Sequence, residues 1–105
     1  MTQKKLRSCL LNDTEFLLEN YPFLERINFE DADDNETIIA YRLFVNEPED
    51  IDFHFRVRQN GFWFEKSGRS EVTLCSTPLF EPWEDSEEIC YTSPIVFFRV
   101  KHDKI

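Results

Sequence analysis

The residues best suited to chemistry are His54, Arg56 and Arg58, which alternate along the segment Ile51–Arg58. Alternation at period two puts all three on one side of a strand. An imidazole beside two guanidinium groups could serve a phosphodiester. The rest of the chain opposes that substrate. Asp and Glu number 21 against 12 Lys and Arg, for a formal net charge of −9, which repels a polyanion. His54 is therefore expected to be a structural or partner-contact residue. His102 falls in the stretch Lys101-His102-Asp103-Lys104 and is expected to be solvated. Neither histidine has a second His or Cys at a spacing that would share a metal.

Other candidate chemistry fails on composition. Asp31, Asp33 and Asn35 occupy the odd ligand positions of an EF-hand loop, but Glu36 stands where glycine must turn the chain and Arg42 where a bidentate Glu belongs. No evolved calcium site is expected. Phosphate loops need a bare backbone, and the only glycines, Gly61 and Gly68, sit in no such fingerprint. The three cysteines, Cys9, Cys75 and Cys90, lack clip or redox spacing. They read as small core residues of a protein in a reducing compartment; a Cys75–Cys90 bridge remains open. Carboxylates are so plentiful that a close pair carries no information, and no nucleophile with a base and an orienting group can be assembled. The chain is expected to be no enzyme, with no catalytic residue, cofactor or metal.

What distinguishes the sequence is where its acids fall. Fourteen of the 21 lie in three runs free of Lys and Arg. The first holds Glu30, Asp31, Asp33, Asp34 and Glu36. The second holds Glu47, Glu49, Asp50 and Asp52. The third holds Glu81, Glu84, Asp85, Glu87 and Glu88. Solubility alone would be served by mixed charge, whereas unmixed runs are costly through self-repulsion. The third run also carries Leu79, Phe80, Pro82 and Trp83, the composition of an apolar anchor inside a charged rim. Phe80 and Trp83 are candidate contacts, though Trp83 could equally be a core residue. The partner-binding candidates are thus Asp31, Asp33, Asp34, Glu36, Glu47, Glu49, Asp50, Phe80, Trp83, Glu84, Asp85, Glu87 and Glu88.

The elements that position these runs can be read in outline. Asn12 to Glu15 resembles a capping box, and Phe16, Leu17, Tyr21 and Leu24 follow near helical spacing. Pro22 should end the helix. Residues 3–11 could form a preceding helix or a strand. Thr37–Val45 is apolar on nearly both faces, as in a central strand. Ile51, Phe53, Phe55 and Val57 alternate against Asp52, His54, Arg56 and Arg58. Asn60-Gly61 predicts a two-residue type I′ hairpin. That turn pairs Val57 with Phe64, Arg56 with Glu65, and Arg58 with Trp63, the last a potential cation–π pair. Glu71–Ser76, Glu88–Thr92 and Ile95–Lys101 read as further strands. If Val72 and Leu74 share the face of Phe64, the intervening loop must hold an odd number of residues or a bulge.

With 105 residues, 41% of them hydrophobic and eleven of them Phe, the chain is one domain able to build a core. The expected fold class is α+β: one or two N-terminal helices packed on a largely antiparallel sheet of about six or seven strands, with a small barrel or sandwich second. No secretory signal is expected, since the opening residues lack an apolar core and a cleavage site. No apolar run approaches a membrane span.

In size, charge, layout and its acid runs Glu30–Glu36 and Glu81–Glu88 with Trp83, the chain resembles the small acidic immunity proteins of bacterial toxin–immunity systems, those of contact-dependent growth inhibition above all. The resemblance implies a cytoplasmic protein that binds a basic toxin domain, often a nuclease, and occludes its active site or substrate groove. It implies a protein partner, with neither nucleic acid nor membrane as a direct ligand. Two alternatives use the same residues differently. A nucleic-acid mimic from a phage or mobile element would space its carboxylates like phosphates. A small-molecule-binding domain or enzyme would need an open concavity ringed by His54, Arg56 and Arg58.

Overall fold

The computed structural model describes the backbone at residues 3–46, 50–65, 71–75, 77–84, 90–91 and 93–101. Side chains are described at those positions except 3–6, 44–46, 50–52, 84 and 90–91. The fold is α+β, one N-terminal helix packed on a six-stranded antiparallel sheet.

Helix α1 runs without a break over Gln3–Asn20. The Asn12–Glu15 pattern is therefore not a helix start. Both residues are exposed on the helix flank, while Leu10, Thr14, Leu17 and Leu18 form the inward stripe. Thr14 is buried and its hydroxyl donates to the Leu10 carbonyl at 2.7 Å. That bond meets the cost of a hydroxyl on an apolar face. The helix does stop before Pro22. The Asn20 side-chain amide donates to the Phe16 carbonyl at 2.8 Å, and the Tyr21 N–H reaches the Leu17 carbonyl, one of those that the helix end would otherwise leave open. Phe16 and Tyr21, expected on the inward stripe, are exposed.

The strands are β1 (Leu24–Ile27), β2 (Ile38–Asn46), β3 (Asp50–Gln59), β4 (Phe62–Glu65), β5 (Thr73–Leu74), β6 (Trp83–Glu84), β7 (Cys90–Tyr91) and β8 (Val96–Val100). The main sheet has the order β1-β8-β2-β3-β4-β5, while β6 and β7 pair separately. As its two-sided apolar pattern predicts, β2 is central. The β3–β4 hairpin turns on Asn60 and Gly61, with φ of 52° and 83°, the left-handed pair that a type I′ turn requires. Its register is the expected one: Val57 opposite Phe64, Arg56 opposite Glu65 and Arg58 opposite Trp63. Leu74 stands opposite Phe64, across an odd-numbered connection.

Each face of the sheet has its own core. On the helix face, Leu10 packs with Leu24, Tyr41, Leu43, Val96 and Phe98. On the opposite face, Ile38, Ala40 and Phe97 pack with Trp83. Helix α1 packs mainly over β1, β8 and β2. The apolar face of β3, β4 and β5 extends past it, leaving Phe53, Phe62 and Leu74 exposed.

Candidate functional site

The chemistry-bearing face of β3 is the buried one. His54, Arg56 and Arg58 are 7%, 1% and 8% exposed, whereas Phe53 on the other face is 56% exposed. Period two predicts the division into faces but not which side is covered. The covering layer consists of the 3-10 turn Phe29–Asp31 with the segment after it, and the segment Thr77–Glu84. Both are held by arginines that donate to backbone carbonyls. Arg99 reaches Asp31 at 3.0 Å and Arg58 reaches Asp33 at 2.5 Å. Arg56 donates to both the carbonyl and the hydroxyl of Thr77. Arg42 spans the carbonyls of Ser93 and Glu81, each at 2.7 Å. A guanidinium can be buried at tolerable cost when it finds such acceptors, and loops that turn their carbonyls inward supply them.

Trp83 lies at the centre of this layer and is 1% exposed. Its indole donates to the Leu79 carbonyl at 2.8 Å. The guanidinium carbons of Arg56 and Arg42 stand 4.5 and 5.2 Å from its ring centre, and the His54 ring meets it edge-on at 6.1 Å. Trp83 is thus a core residue, which corrects its candidacy as an interface contact. Its flanking acids and prolines look like an exposed loop, but the cations of β2 and β3 draw the indole in. His54 is likewise structural: its Nε2 pairs with Glu65 at 3.1 Å, and Arg56 stands 3.5 Å from the same carboxylate. Among the described residues the three ring no open concavity, because Trp83 and Phe29 lie against them. Arg58 stacks on Phe29 at 5.8 Å, a ring contributed by the covering layer.

Cys9 and Cys75 are free thiols, both half-buried, so Cys75 forms no bridge to Cys90. Burial pushes the Cys75 thiol up to about 12, outweighing the opposing effect of Arg56. A thiol so disposed is a poor nucleophile. Among the described residues no cluster of His, Cys, Asp and Glu could hold a metal ion.

Among the described residues two surfaces remain as sites. The first is a seam where the covering segments meet. The Phe29 and Phe80 rings touch edge-on at 5.6 Å, and both lean on Phe97. Phe29 immediately precedes the first acid run and Phe80 the third, so this contact draws Glu30–Glu36 and Glu81 to one face. Phe80 is nonetheless 66% exposed, and the Asp31, Asp33 and Asp34 side chains face solvent. Glu36 is already engaged. It accepts the Asp33 N–H at 2.9 Å and pairs with Arg99 at 2.7 Å, which shapes the loop. Of the second run, the backbone of Asp50 lies away from Glu36. Asp50 pairs with Asn46 at the far end of β2 from Glu36, roughly 27 Å away along a nine-residue strand. The candidates Glu47, Glu49, Asp85, Glu87 and Glu88 lie outside the described residues, as does His102. Only the backbone of Asp50 and Glu84 is described.

The second surface is a groove of about 340 Å³ on the helix face, between α1 and the β2–β3 pair. Phe16, Leu17 and Tyr21 line it from the helix and the residue that follows it, and Tyr41, Phe53 and Phe55 from the sheet. Asp13 is the acid in its lining. Spacing alone assigns Phe16 and Tyr21 to the core. The groove exists because a single helix is too narrow to cover six strands.

No helix among the described residues is long and apolar enough to cross a membrane. No family model, curated protein or solved structure matches the chain.

Proposed function

We propose that this chain is a non-catalytic binding protein that captures a basic protein partner, acting in the bacterial cytoplasm as the immunity protein of a toxin, most naturally a ribonuclease or other nuclease. The observation that carries this reading is the Phe29–Phe80 contact, which brings the first acid run and Glu81 together beside an exposed aromatic ring. An aromatic anchor in a carboxylate rim suits a surface evolved to cover phosphates. The rim accelerates encounter and the ring slows departure. The arginine clamps beneath support it as well, since loops already pinned to the sheet give up little further entropy on binding.

The test is a binding and protection assay with candidate basic nuclease domains, beginning with any toxin-like domain found encoded beside this chain. The expected complex is one to one, blocks RNA cleavage, and associates more slowly as salt rises. Neutralising Asp31, Asp33 and Asp34 together to Asn should slow association about tenfold at low salt. Phe80→Ala should instead raise the dissociation rate. A complex indifferent to salt and to both changes refutes the role of the seam, and no protection refutes the function.

A further inference from the structure

The groove on the helix face lies across the sheet from the seam, and its chemistry differs. Tyr41, Phe53 and Phe55 form a ring cluster with centroid separations of 4.8 to 6.0 Å. Phe16 faces them from the helix and is 60% exposed. Into this aromatic lining projects the Asp13 carboxylate, half-buried, with Oδ2 accepting the Tyr41 hydroxyl at 2.6 Å. That bond holds the carboxylate against the rings. Among the described residues, no Lys, Arg or His stands within ion-pair distance of Asp13.

We propose that this groove receives an arginine side chain from a basic protein partner, its guanidinium pairing with Asp13 and its plane lying against the exposed Phe53 and Phe16 rings. The inference goes beyond the toxin-neutralising role and does not depend on the seam. Three arguments select this occupant. An apolar side chain seated here would strip water from the Asp13 carboxylate and leave its charge unpaired, which is costly. A cation pairs it and gains the attraction of the ring faces. A guanidinium suits the site better than an ammonium because it is planar, more weakly hydrated and can both stack and form a forked pair with a carboxylate. A second copy of this chain is disfavoured, since each copy carries a net charge of −9. The groove's volume of about 340 Å³ leaves room for one long side chain.

The test is an amide NMR titration of the intact chain with n-butylguanidinium, run against n-butylurea, its neutral near-isostere. Saturable shifts are expected at residues 13–17, 41 and 53–55, with affinity at least about fivefold weaker for the urea and for Asp13→Asn. Should Asp13→Asn fail to fold, Tyr41→Phe keeps the carboxylate and is expected to retain preference for the cation, while Phe53→Ala is expected to weaken both probes. Equal affinity for the two probes, or unsaturable shifts spread over the acid runs, overturns the proposal. Reversible dimerisation abolished by Phe53→Ala would also overturn it, by making a second copy the occupant. Neutralising Asp31, Asp33 and Asp34 should leave the titration unchanged, so that failure of the seam and failure of the groove are distinguishable.

Discussion

Replacing Trp83 separates its two candidate roles, because an interface anchor and a core residue lose different things. Trp83 is 1% exposed, bonds the Leu79 carbonyl and carries two arginines on its ring. Truncating a buried Trp to Ala costs about 3–5 kcal/mol in transfer and cavity terms. Each desolvated cation–ring contact adds about 1–2 kcal/mol. The loss falls within the whole stability of a small domain, about 5–15 kcal/mol, so Trp83→Ala is expected to be largely unfolded. Trp83→Phe gives the measurable case. It keeps a ring for Arg42 and Arg56, shrinks the side chain, and leaves the Leu79 carbonyl without its donor, for a cost of about 2 kcal/mol. With a urea slope of about 2 kcal/mol/M, the midpoint should fall by about 1 M. Phe80→Ala removes a ring that is 66% exposed and should lower the midpoint by less than about 0.5 M. Urea melts followed by far-ultraviolet circular dichroism measure all three. An unchanged midpoint for Trp83→Phe, or a larger loss for Phe80→Ala, would refute the placement of Trp83 as the centre of the second core.

Two further outcomes follow from local geometry. A Cβ added at Gly61 meets no atom within 4 Å, but φ there is +83°; Gly61→Ala should cost about 1–2 kcal/mol through backbone strain alone, read as a urea midpoint shift. The Cys75 thiol, raised from 9.0 to about 12 by burial, stays protonated in the fold after the unfolded chain has ionised. Its contribution to stability is therefore complete below pH 9 and declines as pH rises from there towards 12. Peptide mapping after iodoacetamide treatment at mildly alkaline pH should find Cys75 at least about tenfold less modified in the native than in the denatured protein.

Features set by neighbours in sequence were legible before any coordinates. The Asn60-Gly61 turn fixes its own hairpin register, and the two-sided apolar run of β2 announces a central strand. What could not be read was set by contacts between distant segments. In β3 the alternation is plain, but the covered side depends on whether residues 31, 33, 77 and 81 offer carbonyls to Arg99, Arg58, Arg56 and Arg42. Trp83 sits among acids and prolines, and only the cations it meets draw it inward. The helix start at Gln3 was obscured by Asn12 and Glu15, whose capping pattern is overridden by the packing stripe through Leu10 and Thr14. Glu36 counts in sequence as one more acid of the first run, yet it braces its own loop. The groove lay in view as Phe16, Tyr21 and Phe53, but spacing cannot tell how much of a sheet one helix will cover.

The position of β8 has a consequence for how the chain reaches its fold. This strand lies between β1 and β2, so α1 with β1 on one side and the β2–β5 meander on the other share no strand pairing until it arrives. The meander can form from near neighbours, whereas joining it to the N-terminal unit requires closure over more than half the chain, which slows folding. During synthesis, the two halves must wait for residues 96–100 to clear the ribosome, with the Phe98 side of the helix core and the Phe97 side of the tryptophan core both unfilled. One late strand completes both cores together, so the two faces gain their packing in a single step.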